Sequence, residues 1–390
     1  MADTDFANYQ NEIYFAGLGG QKPEFPVAVD ELEAAAHEKL SPEAYGYVAG
    51  GAGTEDTMRA NLAAFRRWRL VPRLLRDVET RDLSVSLLGT EFPAPVMLAP
   101  IGVQEIIHPD KEIATARAAA SVGIPIILST AGSTPMEEVA AAMGNVPCWY
   151  QLYWPRDPEL AASFLKRAER SGYSAIVVTL DTTSLAWRPR DLANGFLPFL
   201  SQKGVAQYLS DPVFLGGLEK TVEEDPMSAV LHWVQNFSNP AYTWDDLAYL
   251  TDNTSLPIVL KGILHPEDAR RAVEAGMAGV IVSNHGGRQL DGEIATLDAL
   301  PAIVTEVGSE IPVLLDSGIR SGADAVKALA LGASAVLLGR PYAWGLAIGG
   351  EAGVRQVVRS FLAELDLTMA LMGFRSVAEI DGSCLVRSEP

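Results

Sequence analysis

Only two cysteines, Cys148 and Cys384, occur in 390 residues. That is too few for a disulfide framework or a cysteine-based metal site. No uninterrupted apolar run reaches the ~20 residues that a membrane-spanning helix needs. Positive charge is scarce, with 30 Lys+Arg against 49 Asp+Glu and a formal net charge of -19. Such a field disfavours nucleic acid and anionic membranes as partners. It also means that an anionic substrate must find a local basic pocket. The opening Met1-Ala2-Asp3-Thr4-Asp5 lacks the basic and apolar regions of a signal peptide. The closing Ser388-Glu389-Pro390 is not a peroxisomal tripeptide. A cytoplasmic protein is expected. His37, His108, His232 and His265 show no ligand spacing, so no metal site is expected.

What is present is a soluble core, with 48% hydrophobic residues, and a regular beat. Short apolar runs recur at Pro95–Pro100, Ile124–Ser129, Trp149–Tyr153, Ala175–Leu180, Pro257–Lys261, Val280–Ser283, Pro312–Asp316 and Ala335–Gly339. A helical pattern follows each. Apolar strands alternating with helices imply a parallel sheet covered on both sides, and eight units fit an α/β fold of the closed (β/α)8 TIM-barrel type. An open doubly wound sheet is the alternative, but its Gly-x-Gly-x-x-Gly turn after the first strand is missing. We therefore divide the chain into an N-terminal extension packing on the barrel (1–92), the barrel (93–375) and a tail (376–390).

Within the extension, residues 1–27 read as a polar stretch wrapping the surface. A helix should start at Ser41 with Pro42 in its first position, carrying Tyr45 and Tyr47 toward Gly50-Gly51-Ala52-Gly53. The basic run Arg66-Arg67-Trp68-Arg69 reads as an exposed face over apolar residues. Thr134-Pro135-Met136-Glu137 has the spacing of a capping box. Between the fourth and fifth strands, residues 183–250 form an insert far longer than ordinary βα loops, expected to act as a lid.

The polar residues that close the strands should converge on one pocket: Ser129, Gln151, Tyr153, Thr179, Asp181, Lys261, Ser283, His285, Arg288 and Asp316. The most informative stretch is Ser283-Asn284-His285-Gly286-Gly287-Arg288, where a base and a permanent cation flank two glycines at the end of a buried strand. Asp316-Ser317-Gly318-Ile319-Arg320 and Gly339-Arg340 close the last two strands. Glycine amides, helix N-termini and arginines there form a phosphate site, so a phosphorylated ligand is expected.

In this order and at these spacings, Gln151-Leu152-Tyr153, Leu260-Lys261-Gly262, Ser283–Gln289 and Leu315–Arg320 make the chain resemble the FMN-dependent 2-hydroxy acid oxidases. The resemblance runs from about Asn11 to Ile380. It implies FMN as cofactor, held by Pro100, Ile101, Gly102, Ser129, Gln151, Thr179, Lys261, Ser283, Asp316, Ser317, Gly318, Arg320, Gly339 and Arg340. Lys261 would stabilise the anionic reduced ring, and the residues from Asp316 to Arg340 would hold the ribityl phosphate. Arg188 and Arg288 would grip a substrate carboxylate. Tyr47 and Tyr153 would donate to the carboxylate or hydroxyl. His285 would take the hydroxyl proton, with Asp181 orienting the imidazole.

One departure separates branches of that family. After Ala99-Pro100-Ile101 the peroxide-releasing oxidases usually carry alanine, whereas this chain has Gly102 and is similar there to the lactate 2-monooxygenase branch. The resemblance thus implies L-lactate and O2 as substrates, giving acetate, carbon dioxide and water. The alternatives are an oxidase releasing pyruvate and hydrogen peroxide, and a non-flavin barrel enzyme such as an aldolase or isomerase. Ala131, where some relatives carry a large aromatic, would reshape the pocket. The family usually forms homotetramers or homo-octamers, and that expectation is carried over.

Overall fold

The computed structural model describes residues 5–388. Met1–Thr4 and Glu389–Pro390, on which the targeting expectations largely rest, lie outside the described residues. Eight parallel strands close into a barrel: β1 (Val96–Leu98), β2 (Ile126–Ser129), β3 (Cys148–Leu152), β4 (Ala175–Thr179), β5 (Ile258–Ile263), β6 (Gly279–Val282), β7 (Val313–Leu315) and β8 (Ala335–Leu338). Ring closure sets Val336, Leu337 and Leu338 of β8 against Val96, Met97 and Leu98 of β1. These strands are aliphatic runs buried on both faces, as a sheet between a packed interior and a ring of helices requires. No described helix is long and apolar enough to cross a membrane.

The period-two alternation of side chains sorts each strand into an inner and an outer face. Met97, Ile127, Trp149, Val177, Val259, Ile281, Leu314 and Leu337 form one inward layer, all buried. Beneath them Leu87 and Phe92, from a hairpin before β1, stop the bottom of the barrel. Two residues farther along the same face come Ala99, Ser129, Gln151, Thr179, Lys261, Ser283, Asp316 and Gly339. This upper ring is where the polar side chains meet.

The helix Pro42–Ala49 starts as expected, with the Ser41 hydroxyl accepting from the Ala44 N–H. The described residues of the stretch 1–27 lie on the surface as expected, none of them buried, with Asn8–Leu18 as an exposed helix. It buries no residue of its own, so its sequence carries no apolar stripe to announce it. One local expectation fails: the capping box at Thr134 does not form. The Thr134 hydroxyl instead donates to the buried Glu112 at 2.8 Å, and the helix Met136–Met143 is capped by Pro135 without a side-chain bond. Part of the basic run becomes a strand, Trp68–Leu70, pairing antiparallel with Leu385–Arg387 of the tail.

The insert is ordered around its aromatic run. It contains the helices Pro189–Ala193, Ala206–Leu209, Pro212–Gly216 and Pro226–Asn236. Trp233 stacks on Phe199 with centroids 4.7 Å apart and lies 4.8 Å from Phe237. Arg167 on the barrel helix Pro158–Arg170 anchors the insert through the buried Asp211, at 3.1 Å.

Candidate active site

Most strand ends deliver their polar residue to one cavity. Its wall includes Tyr47, Pro100, Ile101, Gly102, Ser129, Gln151, Tyr153, Thr179, Arg188, Lys261, His285, Arg288, Asp316, Ser317, Gly318, Arg320, Gly339 and Arg340. Asp181 and Ser283, also singled out in the sequence, stand behind that wall and act on residues in it.

His285 has φ 58°, and Gly286 and Gly287 follow at 68° and 75°. Three successive left-handed residues fold the chain back at the end of β6. Glycine takes this conformation without penalty, whereas His285 must be held in it. The holding bonds are its own N–H to Ser283 Oγ, 3.1 Å, and Gly286 N–H to Ser317 Oγ, 2.9 Å. His285 Nδ1 lies 2.8 Å from Asp181 Oδ1, which also accepts from the Thr182 hydroxyl at 2.9 Å. A carboxylate on Nδ1 fixes the proton there and leaves Nε2 as the acceptor, 3.4 Å from the Tyr153 hydroxyl. Burial, reinforced by the Lys261 and Arg288 charges, outweighs Asp181 and lowers the His285 pKa below its usual 6.5. The imidazole is therefore neutral at pH 7 and able to take a proton. Burial pushes Asp181 up, but His285 and Lys261 outweigh it and keep the carboxyl below its ordinary value.

Lys261 Nζ is buried, 2.8 Å from Ser283 Oγ and 3.2 Å from Asp316 Oδ2. Burial would favour the neutral amine, but Asp316 and Asp181 reverse the shift and hold the ammonium charged. Beside it the Gln151 amide donates to Thr179 Oγ1 at 2.9 Å and accepts from Ser129 Oγ at 3.0 Å. A strip of donors and acceptors thus runs along one edge of the cavity.

Four guanidiniums face the same space. Arg188 and Arg288 flank the Tyr47 ring, 5.7 and 5.1 Å from its centroid. Arg188 has Asp191 at 3.2 Å, while Arg288 rests on the Tyr47 and Gly50 carbonyls. Arg340 is held by the Val48, Gly50 and Gly286 carbonyls. Burial, with the neighbouring Arg288 and Arg320 charges, presses Arg340 down to about 9. Burial, then Arg188, brings Arg288 to about 10, and burial lowers Arg320 as well. These cations stay charged at neutral pH, but they repel one another in a desolvated space. Bound anions would relieve that repulsion.

The arrangement fits a flat heteroaromatic ring with an anionic tail. Lys261 and the amide–hydroxyl strip match a ring edge carrying carbonyl and imino groups. Arg320, Arg340 and the backbone of Ser317-Gly318 and Gly339 match a phosphate. Ser317 and Gly318 have φ of 73° and 94°, a turn that opens backbone amides to an anion. A base on one side and two cations beyond it leave room for a small carboxylate.

Several contributors escaped the sequence reading. Thr182, Leu185, Phe199, Phe237 and Gln289 line the cavity. Asn61 and Asn284 exchange amide hydrogen bonds of 2.8 and 2.9 Å. Asp291 accepts from the N–H groups of Thr54, Asp56 and Thr57. Asn284 lies inside the hexapeptide and offered a signal. Asn61 and Asp291 offered none, because their partners are more than 200 residues away.

The sequence model of the FMN-dependent dehydrogenase family matches residues 36–387. The chain is 46% identical to the FMN-dependent alpha-hydroxy acid dehydrogenase qulF of Penicillium citrinum, over 99% of this chain and 97% of that protein. It is 43% identical to an L-lactate oxidase of Lysinibacillus sphaericus, covering 97% of each. Among solved structures, mandelate oxidase bound to 3,3-difluoro-2-hydroxy-3-phenylpropionic acid superposes with a TM-score of 0.81 at 40% identity, over 93% of this chain and 98% of that one.

Proposed function

The chain belongs to the FMN-dependent dehydrogenase family, and from that premise we propose that it oxidises a small L-2-hydroxy acid, L-lactate, with dioxygen as electron acceptor. It is an FMN-dependent oxidoreductase, so the non-flavin alternative falls away. The observation that carries the substrate reading is one juxtaposition. A neutral imidazole backed by Asp181 faces two guanidiniums that flank the Tyr47 ring.

In this reading Lys261, Gln151, Ser129 and Thr179 would hold the ring of FMN, together with Pro100, Ile101 and Gly102, all of which line the cavity. Ser283 braces Lys261. Asp316, Ser317, Gly318, Arg320, Gly339 and Arg340 take the ribityl phosphate end. When bound, FMN supplies the acceptor for two electrons from the substrate α-carbon. Arg188 and Arg288 orient the carboxylate, with the Tyr47 and Tyr153 hydroxyls as donors. His285 Nε2 removes the hydroxyl proton, and Asp181 stabilises the imidazolium that results.

Gly102 supports the finer reading, that lactate leaves as acetate, carbon dioxide and water. A Cβ on residue 102 would stand 2.7 Å from Ala131 Cβ and 2.8 Å from the Ala131 carbonyl oxygen. Only glycine lets this segment close on Ala131, to which Val103 N–H bonds at 2.8 Å. A wall that closed would keep pyruvate and hydrogen peroxide together. Peroxide then adds to the keto carbon of pyruvate. The bond from that carbon to the carboxylate breaks together with the peroxide O–O bond, leaving acetate, one carbon dioxide and one water. The similarity to L-lactate oxidase favours the other outcome, release of free pyruvate and peroxide. Product analysis with L-lactate and oxygen separates them: acetate and carbon dioxide without free peroxide is expected, and stoichiometric pyruvate and peroxide overturns the finer reading. In Gly102→Ala the wall must part, so free peroxide should rise severalfold.

A further inference from the structure

A second cavity lies against the active site on the side of β3–β5 and the insert. Its wall includes Trp154, Phe237, Tyr242, Trp244, Leu247 and Ile263. Four residues, Tyr153, Thr179, Thr182 and Phe237, line both cavities. Tyr242 stacks on Trp154 with centroids 4.0 Å apart, and Tyr153 lies 5.2 Å from Phe237. The partition is therefore two aromatic residues, Tyr153 and Phe237, and two threonines, Thr179 and Thr182. The outer rim is formed by Thr183, Ser238 and Asn239, with the Ser238 hydroxyl on the Thr183 carbonyl at 3.3 Å.

We propose that this chamber is a side passage for dioxygen, leading from solvent to the active site between Tyr153 and Phe237. The inference rests on the reading of the protein as an oxygen-using enzyme. Three observations carry it. First, Arg188, Arg288 and Tyr47 line the active-site cavity, so in this reading the carboxylic acid fills part of it during turnover and a second reactant gains from another way in. Second, one part of the chamber wall is apolar, with Trp154, Phe237, Trp244, Leu247 and Ile263, and apolar surfaces take up apolar gases, while Thr183, Ser238, Asn239, Thr243 and Asp268 are among the remainder. Third, two of the residues shared by the cavities, Tyr153 and Phe237, meet ring to ring with centroids 5.2 Å apart. Ring motions on fast timescales open gaps for a diatomic molecule, not for a hydrated carboxylate.

The passage is selective by the same physics. Dioxygen makes no hydrogen bonds worth keeping and enters apolar surroundings readily. Pyruvate carries a charge and peroxide carries donors and acceptors, so both would have to shed solvation to leave by this route. An oxygen path of this kind admits the oxidant while holding back the polar products, which is what the monooxygenase outcome needs.

Xenon and two plugging variants test the passage. Crystals of the FMN-loaded enzyme pressurised with xenon should show a xenon atom between Trp154, Phe237 and Leu247. Thr183→Trp plugs the exposed rim, and Leu247→Phe narrows the interior. In both variants, anaerobic reduction of the enzyme by L-lactate, followed by flavin absorbance, should stay within about twofold of wild type. The second-order rate constant for reoxidation by dissolved oxygen should fall about fivefold or more. No xenon in the chamber, or reoxidation at the wild-type rate in both folded variants, overturns the proposal. Wild-type enzyme that is reduced by L-lactate but not reoxidised by oxygen also overturns it, leaving hydroxy acid oxidation in place. Wild-type enzyme that L-lactate fails to reduce instead sinks the substrate assignment, and xenon then still decides whether the chamber takes a gas.

Discussion

The middle and the mouth of this barrel are built by the same eight strands, two residues apart, and they follow opposite rules. In the middle layer every side chain is apolar and buried, from Met97 round to Leu337. One step up the same faces come Ser129, Gln151, Thr179, Lys261, Ser283 and Asp316, which bury polar atoms against one another. The lower layer gains from each methylene removed from water. The upper one carries a desolvation cost that only a bound ligand fully offsets. The comparison teaches that stability and chemistry are separated by one pleat, not by domain.

The strongest way to break that separation is at the base. His285→Ala should lower kcat by about 10⁴ while leaving the thermal midpoint close to wild type, as read by stopped-flow reduction and calorimetry; a large loss of stability would mean that the mouth also carries the fold. Asp181→Asn should cost about 10³ in kcat and move a pH limb. His285 must be neutral to act, so kcat/KM rises with pH through a pKa that burial keeps below 6.5. Removing the Asp181 charge lowers that pKa further, so the acid limb should shift to lower pH. An upward shift would contradict the assigned pairing.

One pleat down the outcome should invert. Ile281→Ala should destabilise the enzyme by about 2–5 kcal/mol through lost burial and a cavity. The acid limb of its pH profile should stay in place. The smallest effect concerns the cation cluster. FMN at about 100 times its dissociation constant should stabilise the apoprotein by about 2.7 kcal/mol, seen as a rise in thermal midpoint. Arg340→Met should shrink that rise, and it should change the ligand-free midpoint little, because the repulsion it relieves is set against the hydrogen bonds that the Val48, Gly50 and Gly286 carbonyls lose.

The strands were legible because most are short apolar runs ending on a polar residue, and the barrel followed from that beat and the missing Gly-x-Gly-x-x-Gly turn. The convergence of Lys261, His285 and Asp316 was legible for the same reason, since a strand end has only one place to go in such a barrel. Asn61 and Asp291 were not, because an amide pair spanning 223 residues leaves no local pattern. The helix Asn8–Leu18 lacks an apolar stripe, and Thr134 found a better partner in Glu112 than its own helix. The side chamber was hidden too, because its wall joins strand ends to aromatic residues of the insert whose packing no spacing encodes.

Tyr47 and the carbonyls that receive Arg288 leave the ribosome well before Arg288 itself. Their partner lies 241 residues downstream, which at about 5–20 residues per second is a delay of roughly ten to fifty seconds. Through that interval the Tyr47 and Gly50 carbonyls lack the Arg288 side chain that they later receive. The pocket is thus a seam closed late in biosynthesis, and a nascent chain stalled before β6 should be open to proteases along the stretch that carries Tyr47 and Gly50.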